Sequence, residues 1–178
     1  MGPSVSASAP APPPAGAPNA GTPNAGTPDV LVPDGASFTL VRRVVDADLD
    51  TRTDPPHVNN VVYVRWVEEA ATAHWEARTT PEVRAEVGWV LLRHEIDYRR
   101  PAGLGDAVVV RTTVGHLQGL TFERRTEVRR ERDGAVLAES RTLWCPVDPR
   151  TGRPRRVHAE LRALFSLGAP PGGTGPQA

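Results

Sequence analysis

Four carboxylates (Asp46, Asp48, Asp50 and Asp54), one imidazole (His57) and two carboxamides (Asn59 and Asn60) stand within fifteen residues, directly before a long apolar run. Carboxylates and an imidazole can take a proton from water or attack a carbonyl carbon. The run that follows, Val61-Val62-Tyr63-Val64-Arg65-Trp66-Val67-Glu68-Glu69-Ala70, has the composition of a helix. The first N–H groups of a helix lack intrahelical acceptors and sit at the positive end of its dipole, so they can receive a developing oxyanion. A base or nucleophile, an orienting imidazole and an oxyanion site thus lie on one short stretch, which suits hydrolysis of an acyl derivative.

The elements that must position these groups follow from periodicity. Phe38, Leu40 and the run 41–45 read as a first strand, followed by an Asp/Thr/Pro loop. Residues 59–78 contain neither Pro nor Gly and are apolar on most sides except around Arg65, Glu68, Glu69 and Glu76, so a helix enclosed by other structure is predicted. Thr80-Pro81-Glu82 starts a short helix that Gly88 would stop. Four strands come next: residues 89–99, with Leu92, His94, Ile96 and Tyr98 on one face; 107–114; a strand from Leu120 in which Leu120, Phe122 and Val128 alternate with polar residues; and 135–146, entered through an Asp133-Gly134 hairpin turn. A terminal helix over 158–165 would turn Leu161, Leu164 and Phe165 inward.

The motif His57-Val58-Asn59-Asn60-x-x-Tyr63-x-x-Trp66-x-Glu68-Glu69-Ala70 behind an acidic loop resembles the hotdog-fold thioesterases, both the 4-hydroxybenzoyl-CoA thioesterase type and the plant-type acyl-ACP thioesterases. Residues 96–106 and 147–156 are similar to later segments of that family, and the resemblance spans about residues 38 to 167. It implies an α+β fold, an antiparallel sheet wrapped around a long central helix, working as a homodimer or a dimer of dimers. It also implies hydrolysis of a fatty or aromatic acyl-CoA to free acid and CoA, with no cofactor or metal. An acyl-ACP thioesterase and a non-catalytic acyl-thioester sensor are the alternatives.

The acyl-CoA branch has Asp-x-Asp-x-x-Gly-His-Val-Asn-Asn, with the second Asp as nucleophile or base. Here Thr53 stands four residues before His57, and Pro56 replaces the Gly. Asp48-Leu49-Asp50 matches if the loop carries three extra residues, which makes Asp50 the favoured carboxylate; without a gap, Asp54 is the nearest. The acyl-ACP template, Asp-x-Asn-x-His-Val-Asn-Asn, keeps only its His, at His57. The expected site is therefore Asp50, Asp54 and His57 for catalysis, with Val58, Asn59 and Asn60 binding the thioester. Asn59 is equally suited to cap the helix, and Glu68 or Glu69 could supply a catalytic Glu from the helix, as in another branch of the family.

Composition narrows the field further. All 21 basic side chains are Arg and balance 21 acids, so a nucleic-acid binder, which needs a basic excess, is not expected. The absence of Lys rules out Schiff-base chemistry and a phosphate loop of the G-x-x-x-x-G-K type. A single cysteine, Cys145, rules out an internal disulfide and a cysteine-based zinc cluster. His74 and His116 have no partner spacing, His94 suits a packed or interfacial place on its strand, and Ser140 lacks a Gly-x-Ser-x-Gly elbow. Arg99, Arg100, Arg153, Arg155 and Arg156 are candidates for the phosphates of the carrier. With neither a signal peptide nor a long apolar run in this sequence, a cytoplasmic protein that does not enter a membrane is expected.

Residues 1–36 hold nine of the 19 prolines and a tandem Pro-Asn-Ala-Gly-Thr, and are expected to form a disordered leader. The Gly/Pro-rich segment 168–178 reads as a disordered tail, which leaves 37–167 as one domain.

Overall fold

The computed structural model describes residues 30–31, 36–118, 120–156 and 158–165. Strands β1 (Val30–Leu31), β2 (Ser37–Arg43), β5 (Gly88–Tyr98), β6 (Ala107–Gln118), β7 (Thr121–Arg130) and β8 (Val136–Val147) form an antiparallel sheet in the order β1-β2-β6-β7-β8-β5. A separate two-stranded ladder joins β3 (Leu49–Asp50) to β4 (His57–Val58). Helix α1 (Asn60–Arg78) lies on one face of the large sheet, and two short helices, α2 (Pro81–Glu86) and α3 (Ala159–Leu164), complete the described fold. This is the hotdog arrangement.

Local signals explain most boundaries. Asn59 caps α1, its side chain accepting the Val61 N–H at 3.0 Å, and Thr80 caps α2 with Pro81 in the first turn. Helix α2 stops at Glu86, before Gly88, because Gly88 is already paired with Val147 as the first residue of β5. The β7–β8 turn places Gly134 at φ 66°, the left-handed region that a residue without Cβ enters at little cost. Strand β1 lies inside the segment expected to lack structure; Val30 and Leu31 pair with Leu40 and Thr39, using the otherwise free edge of β2. The rest of the leader, the tail 168–178 and the repeat lie outside the described residues, and so do the side-chain surroundings of His116.

The core has two parts. Val62, Tyr63, Trp66 and Ala70 of α1 pack on Phe38, Leu40, Val108, Val110, Val128 and Leu137 of the sheet. A second cluster at the far end of α1 joins Phe122 and Val114 to Leu161 and Phe165 of the C-terminal segment, with Trp75, Trp89 and Trp144 against it. Leu161 and Phe165 do turn inward, and Leu164 is partly covered.

Three expectations are corrected. Helix α1 is not enclosed: Val61 is 71 % exposed and Glu68, Thr72 and Glu76 face outward, because a single sheet covers only one side of it. Leu92 does not share a face with His94 and Ile96, since a bulge between Leu91 and Arg93 leaves it unpaired and 58 % exposed. Leu120 belongs to the turn before β7, and the inward row of that strand is Phe122, Arg124, Thr126 and Val128.

Candidate active site

The β3–β4 ladder brings the expected residues together: Asp50 lies opposite His57 and Leu49 opposite Val58. Val58 is buried, and its N–H donates to the Ala102 carbonyl at 2.9 Å. Ala102 in turn donates to the Tyr63 hydroxyl at 3.1 Å, and the Tyr98 hydroxyl donates to the Asn60 carbonyl at 3.2 Å. The segment after β5 therefore clasps the start of α1. Both tyrosines are drawn above the usual phenol range by burial, which keeps them neutral hydrogen-bonding groups.

Asp48 anchors the acidic loop. Its side chain is 2 % exposed, pairs with Arg65 Nη2 at 2.5 Å and accepts the Val45 N–H at 3.1 Å, while its carbonyl accepts the Asn59 N–H at 2.9 Å. Arg65 also approaches Glu69 at 3.7 Å, and Glu69 is held by Arg42 at 2.9 Å. Glu69 thus belongs to a structural ion-pair chain tying α1 to β2 and the loop, and Glu68 is exposed.

The two aspartates favoured for chemistry differ sharply. Asp50 is gripped by Arg52, with Nε at 2.8 Å, Nη2 at 2.6 Å and the backbone N–H at 3.1 Å. That grip, led by the side-chain hydrogen bond, holds its carboxyl down at about 2. A carboxylate so stabilised is a poor base. Asp54 is exposed and its carboxylate has no hydrogen bond or ion pair among the described residues.

His57 is half-buried. Thr53 Oγ1 donates to the Asp50 carbonyl at 3.0 Å and lies 3.2 Å from the Pro55 carbonyl, so its proton is engaged. With that proton on the Asp50 carbonyl, the contact between Thr53 Oγ1 and His57 Nδ1 at 3.0 Å is the one made by the tautomer in which Nδ1 donates and Nε2 accepts. Asn59 is the helix cap and Asn60 is exposed. The Asn60 N–H, first in the helix, has no acceptor among the described residues.

The arginines separate into two groups. Arg99 is paired with Asp97 and Glu139, and Arg155 donates to the Glu86 carbonyl, whereas Arg100, Arg153 and Arg156 are exposed. Arg100 follows the Tyr98 end of β5, beside the clasp; the 153–156 turn lies at the Gly88 end, about 30 Å away at the rise of an extended strand. Among the described residues no three His, Cys, Asp or Glu side chains are grouped to hold a metal ion, and no helix is long and apolar enough to cross a membrane.

The model of the thioesterase superfamily matches residues 56–137, from the residue before His57 into β8. Over that stretch the chain is similar to the thioesterase superfamily. Among individual relatives, the long-chain acyl-CoA thioesterase FadM of Escherichia coli (strain K12) is 26% identical over 111 residues, covering 60% of this chain and 82% of that protein. A thioesterase of Thermus thermophilus solved with coenzyme A and Zn superimposes with a TM-score of 0.61 at 27% identity, covering 71% of this chain and 95% of that one. The probable thioesterase YbaW of Escherichia coli gives a TM-score of 0.64 at 24% identity, covering 72% and 96%. Within the superfamily match lie His57, the Asn pair and the clasp around Ala102, while Asp50 and Asp54 precede it.

One residue escaped the sequence analysis. Arg124 is buried in the second core cluster region and donates to His74 Nδ1 at 3.0 Å; His74 is itself fully buried, stacked on Phe38. The signal was present, because Arg124 falls on the Phe122–Val128 register of its strand, where an apolar residue is the rule. Ser140 and His94 face each other at 2.9 Å across β5 and β8, and burial lowers the His94 pKa, so His94 is a packed histidine.

Proposed function

We propose that this protein hydrolyses acyl-CoA thioesters, fatty or aromatic, to the free acid and CoA, with Asp54 and His57 handling the water. The observation that carries the reading is the open first N–H of α1, at Asn60, beside a half-buried imidazole whose Nε2 is free to accept and a loop whose only unpaired carboxylate, among the described residues that follow Asp48, is Asp54. A water held between the Asp54 carboxylate and His57 Nε2 gives up a proton as its oxygen bonds to the thioester carbon. The carbonyl oxygen becomes an oxyanion facing the Asn60 N–H. Collapse breaks the C–S bond, and the departing thiolate takes up the proton. One such N–H contributes on the order of 3 kcal/mol to the transition state. Asp50, already committed to Arg52, shapes the loop in this scheme, and Val58 and Asn59 hold the backbone at the helix entrance.

The same reading has two copies joined through β5. That strand is at the sheet edge, eleven residues long, and exposes Val90, Leu91 and Leu92. An unpaired apolar edge of this length is stable in water when a second copy covers it. Antiparallel pairing of two β5 strands lays the 153–156 turn of one copy toward the Tyr98 end of the other, where its arginines and Arg100 would meet the phosphates of CoA. A single unpaired Cys145 suits the cytoplasm.

Free-thiol release from aliphatic and aromatic acyl-CoAs tests the assignment. Asp54→Asn and His57→Ala are expected to lower kcat by about a hundredfold or more, the usual contribution of a general base, and Asp50→Asn much less. Tight binding of acyl-CoA with no thiol release, extending to acyl-carrier substrates, would overturn hydrolysis in favour of a sensor.

A further inference from the structure

Some 18 Å along α1 from Asn60, at roughly 1.5 Å per residue, Thr72 stands at the mouth of a cavity of about 80 Å³ between α1, the sheet and the C-terminal segment. Its walls are Trp75, Trp89, Phe122, Trp144 and Phe165. Trp75 and Trp89 meet edge to face at 5.5 Å, and Trp75 stacks on Phe165 at 6.0 Å, so these rings already touch and form a continuous aromatic wall. Into this apolar cavity comes one charged group, Arg124, which is 6 % exposed.

Arg124 has no carboxylate partner among the described residues. Nη1 donates to His74 Nδ1 at 3.0 Å and to Thr112 Oγ1 at 3.4 Å, both neutral acceptors, and Nε and Nη2 have no acceptor among the described residues. Neither nitrogen is sealed off, since the one buried side-chain nitrogen or oxygen without a partner, among the described residues, is Arg65 Nε. A buried cation normally has an anion opposite it, because desolvating the charge is costly. Burial draws the Arg124 pKa down to about 10, so the group is still charged at neutral pH. The volume exceeds that of one water several times over and suits a single ring.

We propose that this pocket binds a flat carboxylate, its ring against the aromatic wall and its carboxylate against Nε and Nη2 of Arg124. The carboxylate has two sources to distinguish: the far end of an acyl substrate, in which case the inference rests on the thioesterase reading, or a free small acid, in which case it stands alone.

Binding is read without turnover. Three of the four tryptophans line the pocket and the fourth, Trp66, is in the core, so intrinsic fluorescence reports occupancy. Benzoate is expected to quench it saturably, and benzyl alcohol, of similar shape but uncharged, to bind about tenfold more weakly or worse, as loss of a charge-assisted pair implies. Arg124→Gln should remove the advantage of benzoate, leaving it to bind no more tightly than benzyl alcohol, since only the carboxylate makes the ion pair. Thr72→Phe, on the exposed rim, should abolish saturation for both with the fold retained by circular dichroism. Equal affinity for the two probes, or unchanged binding in Thr72→Phe, overturns the proposal even if Arg124→Gln fails to fold. Competition between benzoate and acyl-CoA identifies the pocket as the far end of the substrate site; benzoate binding that leaves thioester turnover uncompetitive or untouched identifies a free acid. A protein that releases no thiol yet discriminates the probes refutes the hydrolase reading and leaves this pocket standing.

Discussion

Replacing Arg65 by Met tests what holds the acidic loop to the helix. Asp48 is 2 % exposed, and without Arg65 its carboxylate keeps one hydrogen bond, from the Val45 N–H. Breaking a buried pair by deleting one partner costs about 3–5 kcal/mol, because the other charge is left uncompensated. The lower end applies here: Arg65 is 42 % exposed, so water can enter where it stood, and the Val45 bond survives. At roughly 3 °C per kcal/mol for a domain of this size, a loss of about 3 kcal/mol lowers Tm by about 10 °C. Tryptophan fluorescence during urea and thermal unfolding measures it. The double variant Asp48→Asn with Arg65→Met should recover more than half of the loss, since Asn can still accept from Val45 and carries no charge. Because the Asp48 carbonyl also holds the Asn59 N–H, thiol release should fall together with stability in the single variant and recover in the double. A Tm within about 2 °C of the unmodified protein for Arg65→Met, less than one kcal/mol on the same scale, would refute the view that this pair carries the loop.

The Asp50 carboxyl, depressed to about 2 by Arg52, lends stability that is fully present above its unfolded value near 3.8 and is lost as pH falls toward 2; Arg52→Ala should raise its NMR-detected titration toward the ordinary value and largely abolish that acid-dependent loss. Asn59→Ala removes the α1 cap and should cost about 1 kcal/mol in urea unfolding, whereas Asn59→Asp should stay within a few tenths. If two copies pair through β5 as proposed, Leu92→Lys on its exposed bulge is expected to yield monomer where the unmodified protein gives dimer in light scattering at micromolar concentration, without lowering the helix content. Gly134→Val, forced to φ 66°, should destabilise by roughly 1–2 kcal/mol while leaving thiol release per folded molecule unchanged.

Several elements were legible from local pattern. Thr80-Pro81 marked α2, Asp133-Gly134 marked the hairpin, and the break-free segment 59–78 marked α1, because caps, turns and helices are written by neighbours within a few residues. The bulge at Leu92 was not legible, since it arises from a mismatch between β5 and its partner β8. The exposure of Val61 was not legible either, because hydrophobic content says that a residue can be covered but not whether one chain supplies the cover. The Asp50–Arg52 grip is only two residues apart, yet its meaning depends on Asp54 being left free, which becomes visible only when every other partner in the loop is known.

The sequence by itself determined the helix, the place of five strands along the chain and the presence of His57 beside a cluster of acids at the helix entrance, and it left Asn59 open between cap and thioester ligand. Those follow from side-chain period, backbone preference and spacing along the chain. Tertiary structure alone decided which acids are structural, with Asp48 under Arg65 and Glu69 between two arginines, that Arg100 and the 153–156 turn lie at opposite ends of β5, and that Arg124 enters an aromatic pocket with no anion of its own among the described residues. The physical reason is that pairing and burial are set by contacts between residues up to dozens of positions apart, and the free energy of a charge depends on what it meets there more than on what precedes it in the chain.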